Sequence, residues 1–133
     1  MTGSLFSRAL LCAAAVLAVA VTVAHPDRAP AADTASNLIA RGDYLVGDAG
    51  QCRDCHGQNL AGGPAPKGPP GVPWATNAPA LAGLPMFAKD ADAIAFLMTT
   101  ALPDGTHPLP PMPHYKFHVD DATAIVAYLR SLK

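Results

Sequence analysis

Charged side chains are scarce in this chain of 133 residues, of which they make up 14%. Glutamate is absent, every acidic residue is aspartate, and the formal net charge is −1. A protein that binds nucleic acid by neutralising its phosphates needs an excess of basic residues, so that class of function is excluded. An acidic disordered tail is excluded by the same balance of charges. The length leaves room for one ordinary domain.

The chain also lacks any run in which apolar and polar residues alternate, so no β-strand is predicted. It is rich instead in glycine and proline, with 11 and 14 residues respectively, which indicates a loop-rich fold. The two residue types are densest in residues 57–73, which are predicted to form a long loop with little regular structure. A turn is predicted at Asp104-Gly105.

Residues 1–31 have the layout of an export signal. A short start that carries Arg8 leads into an apolar run, residues 9–24, and a polar, proline-rich stretch follows. The run is shorter than the roughly 20 residues that a membrane-spanning helix needs. We therefore expect a signal peptide or, as the alternative, an N-terminal membrane anchor, with Cys12 as an apolar residue within it. Either interpretation places the remaining domain, residues 32–133, outside the cytoplasm.

Three helices are predicted in that domain. Their expected bounds are a cap at Ser36 or Asn37 with an end at Gly50, a start at Asp90 or Asp92 with an end before Pro103, and a cap at Asp120 or Asp121 for residues 122–132. The apolar positions expected to face the core are Leu38, Ile39, Leu45 and Val46 in the first helix and Ile125, Val126, Tyr128, Leu129 and Leu132 in the third. These side chains are too few to fill a conventional core, so a further group is expected at the centre.

Two of the three cysteines lie three positions apart and are followed directly by histidine, in the run Cys52-Arg53-Asp54-Cys55-His56. Cys-x-x-Cys-His is the attachment signal for c-type haem. Its two thiols add to the two vinyl groups on one edge of the porphyrin, and the adjacent histidine is then held under the iron. The other ring nitrogen of that histidine is expected to donate to a backbone carbonyl. The motif therefore predicts one covalent haem c held by Cys52, Cys55 and His56.

The same cysteines have three other interpretations: a structural disulfide, a zinc site and a thioredoxin-like redox pair. A zinc site lacks a second cysteine pair and histidines at finger spacing, and a redox pair lacks the surrounding strand pattern. Haem is favoured over all three, because an export signal on the same chain suits a group that is attached outside the cytoplasm.

From residue 37 to residue 133 the chain resembles a class I c-type cytochrome. The segments that carry the resemblance are residues 41–46 and 50–52, similar to the N-terminal helix, residues 78–84, similar to the Pro-x-Leu-x-Gly segment, residues 111–115, similar to the loop of the second axial ligand, and residues 124–132, similar to the closing helix. The resemblance implies an all-α fold, the small cytochrome c fold, with three or more helices and long loops wrapped around a covalently bound haem. It also implies that Pro79 offers its carbonyl to His56, and that Gly42 meets Tyr128 where the first and last helices cross.

The second iron ligand is expected among the methionines and histidines that follow the motif. The candidates are Met86, Met98, Met112, His107, His114 and His118, with an open sixth site as the alternative. Met98 lies in an apolar helical stretch and is predicted to be core, whereas Met112 stands between prolines shortly before the last helix. Met112 is therefore the predicted ligand together with His56. Thioether sulfur favours ferrous iron and raises the reduction potential.

An iron with two protein ligands has no place for a substrate, which argues against an enzyme. The predicted function is one-electron transfer by a haem c that cycles between ferric and ferrous iron, in an exported respiratory or dehydrogenase-linked chain. Its expected partners are redox proteins: a dehydrogenase, an oxidase or another cytochrome. Two alternatives stay open, a haem-bearing subunit of a membrane oxidoreductase complex and a haem enzyme or gas sensor with an open iron site.

The first helix and the loop around Met112 most resemble the haem subunits of periplasmic sugar and alcohol dehydrogenases. The predicted location is the periplasm, with membrane association through the apolar N-terminal segment as the alternative. Two features depart from such subunits: a single haem motif, and the proline-rich residues 64–73, to which the resemblance assigns no role. Further haem contacts are expected from Trp74, Asn77, Tyr115 and Lys116 at the propionates, and from Leu81, Phe96, Leu97 and Phe117 at the haem faces.

Overall fold

The computed structural model describes residues 33–132, so the predicted leader and Lys133 lie outside the described residues. The elements, in chain order, are helix α1 (Asp33–Tyr44), a π-helical turn (Leu45–Ala49), helix α2 (Cys52–His56), strands β1 (Gly63–Pro64) and β2 (Asn77–Ala78), helix α3 (Asp90–Thr99) and helix α4 (Val119–Ser131). The predicted all-α class, with long loops between the helices, is confirmed. No helix in this described part has the length and apolarity needed to cross a membrane.

Helices α1 and α4 make the most extensive contact between any two elements of the described chain. Gly42 lies at their crossing, where an added Cβ would fall on the backbone oxygen of Ala124 and 2.5 Å from the Cβ of Tyr128. Only a residue without a side chain lets the two backbones come this close. The predicted contact of Gly42 with Tyr128 is therefore confirmed, and it brings Ile125 of α4 into one buried cluster with Val46.

The first helix begins earlier than predicted. It is already helical at Asp33, the first described residue, so the predicted cap at Ser36 or Asn37 is wrong. The predicted end is confirmed, because the helix widens into the π-helical turn and stops at Gly50, whose N–H donates to the carbonyl oxygen of Leu45, five residues earlier, at 2.7 Å. The helix therefore ends two residues before Cys52, the first cysteine of the haem motif.

The last helix also begins earlier than predicted. It starts at Val119 after an extended His118, with no side-chain hydrogen bond at its cap, so capping by Asp120 or Asp121 is wrong. Both aspartates lie instead within the first helical turn, where a negative charge complements the helix dipole. Asp121 also accepts a hydrogen bond of 2.7 Å from Arg41 of α1, which adds an ion pair to the helix crossing.

Two apolar side chains that were expected to face the core are exposed instead. Ile39 is 36% exposed and Met98 is 38% exposed. In α1 the inner position belongs to Leu38, four residues before Gly42, and in α3 the buried residue is Ala93. The predicted face of α4 is confirmed at Ile125, Val126, Tyr128 and Leu129, which are all buried.

Two further predictions, the start of α3 and the turn that follows this helix, are confirmed. Helix α3 begins at Asp90, as expected. The turn at Asp104-Gly105 closes with a hydrogen bond of 2.8 Å from the N–H of Gly105 to the oxygen of Leu102, and Gly105 has a φ of 82°. The carboxylate of Asp104 accepts a hydrogen bond of 2.9 Å from the N–H of Thr106, which fixes the loop beyond the turn.

Arg130 ties the end of α4 to the chain that precedes α3. Its guanidinium donates to the carbonyl oxygens of Gly83 and Phe87 at 2.7 and 2.6 Å, and its Nε donates to Asp90 at 2.8 Å. These bonds hold residues 83–87 against the helical part of the molecule.

Residues 57–73 form the predicted loop, apart from the two residues of β1. Strand β1 pairs antiparallel with β2, with Gly63 opposite Ala78 and Pro64 opposite Asn77. Two residues are too short to show the alternation that predicts a strand, which is why the sequence does not indicate this ladder.

Candidate functional site

A cavity of about 450 Å³ opens between the helices and the long loops. This volume falls within the range of small-molecule and cofactor sites. The predicted haem-contacting residues Cys52, Cys55, His56, Pro79 and Met112 all lie in its walls. They come from three separate segments of the described chain, so the fold brings together residues that are distant in sequence.

The attachment turn consists of α2, which presents both cysteines to the cavity. Gln51 takes up a left-handed conformation, with a φ of 50°, and turns the chain into the helix. Residues three apart in a helix lie on one face, so the thiols of Cys52 and Cys55 are neighbours on the cavity side. Both thiols are free. Burial raises the pKa of the Cys52 thiol and so favours its uncharged form.

Arg53, between the two cysteines, anchors this turn to both long helices. It donates to the Asp43 carboxylate of α1 at 2.7 Å, to the Tyr128 hydroxyl of α4 at 2.6 Å, and to the carbonyl oxygen of Gln58 at 2.6 Å. Its role was missed from the sequence, because the spacing of the motif says nothing about its variable positions.

His56 is buried and oriented by one backbone oxygen. Its Nδ1 lies 2.7 Å from the carbonyl oxygen of Pro79. A carbonyl oxygen can only accept, so Nδ1 carries the proton, and in the neutral ring Nε2 then has the lone pair that a metal requires. This is the arrangement that the resemblance implies for His56 and Pro79.

Gly62 makes room for the Pro79 segment, and the sequence did not single it out. An added Cβ there would lie 2.5 Å from the carbonyl oxygen of Ala78 and 2.8 Å from the carbonyl carbon of Pro79. The N–H of Gly62 donates to the oxygen of His56 at 2.8 Å, so the histidine and its acceptor are held in one local unit. The positive φ of Gly62, 81°, is a second reason for glycine at this position.

Of the candidates for the second ligand, Met112 and Met86 line the cavity. Met112 is half-buried, whereas Met86 is 55% exposed. Met98, predicted as core, lies outside the cavity wall. The three histidines also lie outside it: His107 and His114 stack on each other with ring centroids 5.5 Å apart, and His118 lies 3.4 Å from the Asp120 carboxylate.

The predicted haem-contacting side chains divide in the same way. Leu81, Phe96, Leu97, Asn77 and Tyr115 line the cavity, whereas Trp74, Lys116 and Phe117 do not. The indole N–H of Trp74 donates to the oxygen of Pro66 at 2.8 Å instead.

Tyr115 uses its hydroxyl for the backbone of the attachment side. The O–H donates to the carbonyl oxygen of Gly50 at 2.5 Å, which leaves this single donor unavailable to a propionate. Burial, with smaller contributions from Cys52 and Cys55, raises the pKa of Tyr115 to about 12. The phenol therefore stays a donor throughout the neutral range.

The chemistry of these groups fits a covalent haem. Two neighbouring free thiols match thioether attachment, the lone pair of His56 Nε2 matches an axial ligand, and a thioether stands in the same cavity. Most of the remaining wall is apolar, from Leu81 and Leu84 to Phe87, which suits a porphyrin face.

Comparison with known proteins agrees with this fit. A family model described as cytochrome c matches residues 39–133. No curated protein and no solved structure matches the chain. The family match spans most of the chain and includes the whole of the Cys-x-x-Cys-His motif. Proteins of this family bind covalent haem c through that motif and use the haem to transfer electrons. The chain therefore belongs to the cytochrome c family.

Proposed function

We propose that this cytochrome c is an exported one-electron carrier in which His56 and Met112 would bind the haem iron and Cys52 and Cys55 would form the thioethers. The bound haem supplies an iron that exchanges one electron between its ferric and ferrous states. The observation that carries the proposal is the shared cavity, with His56 Nδ1 hydrogen-bonded to Pro79 in one wall and the thioether of Met112 in another.

The two proposed ligands have different roles. The hydrogen bond from His56 to the Pro79 oxygen fixes the orientation of the ring and points its other nitrogen away from that oxygen. The sulfur of Met112 is a soft ligand that favours ferrous iron and raises the potential. Two fixed ligands also exclude a substrate from the iron, so the residues favour electron transfer over catalysis.

The setting of the carrier is part of the same proposal. Residues 1–31 serve as a signal peptide or membrane anchor, and the domain works in the periplasm with redox proteins, such as those of a dehydrogenase-linked chain. The export-like N-terminal sequence and the proline-rich loop around Met112 support this setting. A free carrier is extracted from the periplasm without detergent, whereas detergent is needed to extract an anchored subunit of a membrane complex.

The test is the optical spectrum of the haem-loaded protein and its Met112→Ala variant, with Met86→Ala as the competing candidate and Met98→Ala as the control. We expect the wild type to show the weak far-red sulfur-to-iron band in the ferric state and to leave carbon monoxide unbound in the ferrous state. Met112→Ala should lose that band, bind carbon monoxide and have a lower reduction potential. The Met98 variant should match the wild type, because its side chain lies outside the cavity wall.

Two results would contradict the proposal. Loss of the far-red band in Met86→Ala, with the band kept in Met112→Ala, would make Met86 the ligand. A wild type without the band that binds carbon monoxide would support the open-site alternative, a haem enzyme or gas sensor.

A further inference from the structure

Residues 63–78, here called the hairpin, are rich in proline and glycine. The β1–β2 ladder closes the hairpin at its base, and the N–H of Ala65 extends the ladder with a hydrogen bond of 3.0 Å to the oxygen of Thr76. Ala65, Ala75 and Asn77 line the cavity. The hairpin is therefore one wall of the proposed haem site.

Trp74 is half-buried and packs between the two arms of the hairpin. Its indole N–H donates to the oxygen of Pro66 at 2.8 Å, on the opposite arm. Gly68 lies directly against the indole, so that an added Cβ would overlap the ring and lie 2.7 Å from the Cβ of Trp74. The ladder sets the register at the base of the hairpin, and this indole joins the two arms beyond the ladder.

The loop that carries Met112 has few backbone N–H groups that can donate hydrogen bonds. Among residues 108–113 four are proline, so only Leu109 and Met112 have a backbone N–H. The N–H of Met112 donates to the oxygen of Leu109 at 3.3 Å, inside the loop itself. Donors that fix this loop to its surroundings must come from another segment.

The hairpin supplies such a donor. The N–H of Ala75, next to Trp74, donates to the oxygen of Pro110 at 2.7 Å. Pro110 lies two residues before Met112, and the side chains of Ala75, Pro111 and Met112 share the cavity wall. Ala75 follows Trp74 directly in the chain, so the indole and this donor belong to the same arm of the hairpin.

We infer that Trp74 is a positioning residue that acts through the Ala75–Pro110 hydrogen bond to hold Met112 in place, and so determines how readily an external ligand replaces the methionine. The inference rests on the proposed function, in which Met112 binds the iron. It assigns to the proline-rich hairpin a task in ligand retention.

The experiment measures the binding of imidazole to the ferric, haem-loaded protein. At saturating imidazole the rate reports the dissociation of methionine, and the far-red band reports its presence. Trp74→Ala removes the packing and the hydrogen bond, Trp74→Phe keeps an aromatic ring without the N–H, and Val72→Ala is a control at an exposed position in the same hairpin. Loss of one hydrogen bond corresponds to about threefold to tenfold. We expect a saturating rate at least about tenfold higher in Trp74→Ala, a rise of about threefold in Trp74→Phe, and no change in Val72→Ala.

The outcomes separate this inference from the proposed function. A wild type without the far-red band would overturn methionine ligation, and the inference with it. A band in the wild type combined with unchanged saturating rates in both Trp74 variants would overturn the inference alone. A lower unfolding free energy without faster exchange would also overturn it, because a merely structural tryptophan behaves in that way. If Trp74→Ala fails to load haem, the Trp74→Phe rate decides.

Discussion

The two sides of the cavity are held together by different means. The attachment side, helices α1, α2 and α4, is joined by close backbone packing at Gly42 and by the hydrogen bonds of Arg53. The ligand side, the hairpin and residues 100–118, is joined mostly by single hydrogen bonds to backbone carbonyls, such as Ala75 to Pro110. Buried apolar side chains are concentrated on the first side, whereas Val72 and Leu109 on the second are each 49% exposed.

The difference indicates that the attachment side determines the global stability of the protein and that the ligand side determines access to the iron. Regions with few buried apolar contacts open at a lower free energy than the packed core. Substitutions on the attachment side should therefore change the free energy of global unfolding, whereas substitutions on the ligand side should mainly change access to the iron. A carrier needs both, a fixed attachment and a ligand that stays bound during electron transfer.

The largest effect is expected at the helix crossing. Gly42→Ala adds a Cβ onto the Ala124 oxygen and against Tyr128, and neither backbone can move without separating the helices. We expect the free energy of unfolding of the haem-loaded protein to fall by about 3 kcal/mol, measured by guanidinium titration.

Gly47→Ala is the matched control for this substitution. An added Cβ at Gly47 meets only the Nε of Arg53, at an ordinary contact distance of 3.5 Å. We expect this variant to be unchanged or more stable by up to about 1 kcal/mol, because alanine restricts the unfolded chain. Equal losses in the two variants would mean that the crossing is no more tightly packed than the rest, and the comparison of the two sides would fail.

A smaller effect is expected at Arg130, which connects α4 to residues 83–87 of the cavity wall. Arg130→Met keeps much of the aliphatic stem but removes the donors to Gly83 and Phe87. We expect a loss of about 2 kcal/mol in unfolding free energy, since two carbonyl oxygens lose a charged donor. The same guanidinium titration measures it.

Arg41→Met is the control for Arg130, because Arg41 also pairs with an aspartate but has a side chain that is 58% exposed. An exposed ion pair of this kind contributes about 0.5 kcal/mol or less. If both arginine variants lose the same small amount, the carbonyl bonds of Arg130 do not stabilise the wall.

The features that could be predicted are those that depend on local spacing. Covalent attachment requires two thiols and a histidine in fixed order, so Cys52, Cys55 and His56 are visible in the sequence. The buried face of α4 follows from its 3.6-residue period. Met98 was misassigned because α3 is apolar on most of its faces, and periodicity then does not distinguish the inner face from the outer one.

The features that could not be predicted depend on contacts between distant parts of the chain. Arg53 meets Tyr128 across 75 positions, and Arg130 meets Gly83 across 47, so no local pattern signals either pair. The bond from Ala75 to Pro110 joins two backbones, and a backbone hydrogen bond leaves no trace in residue type. The assignment of Met112 as the ligand, which rests on its flanking prolines, its place before the last helix and the resemblance of residues 111–115, stays a prediction.

The smallest effect is expected at Tyr115, where the two sides of the cavity are joined. Tyr115→Phe removes the hydrogen bond to the Gly50 oxygen but keeps the ring that stacks on Phe117, with centroids 5.0 Å apart. At neutral pH we expect the unfolding free energy to fall by about 1 kcal/mol. The control Tyr44→Phe, at an exposed position of α1, should change it by less than about 0.5 kcal/mol.

The pH dependence of the Tyr115 variant tests the cause of that loss. The pKa of Tyr115 is raised from 10 to about 12, mainly by burial, so the folded protein holds the neutral phenol after the unfolded chain has begun to ionise. A raised pKa contributes stability that is fully present below pH 10 and is lost as the pH rises toward 12. The difference between wild type and Tyr115→Phe should therefore shrink across that window, as measured by guanidinium titrations at several alkaline pH values. A difference that stays constant across the window would mean that the phenol is hydrated in the folded protein, and that the two sides of the cavity are not joined through its buried hydrogen bond.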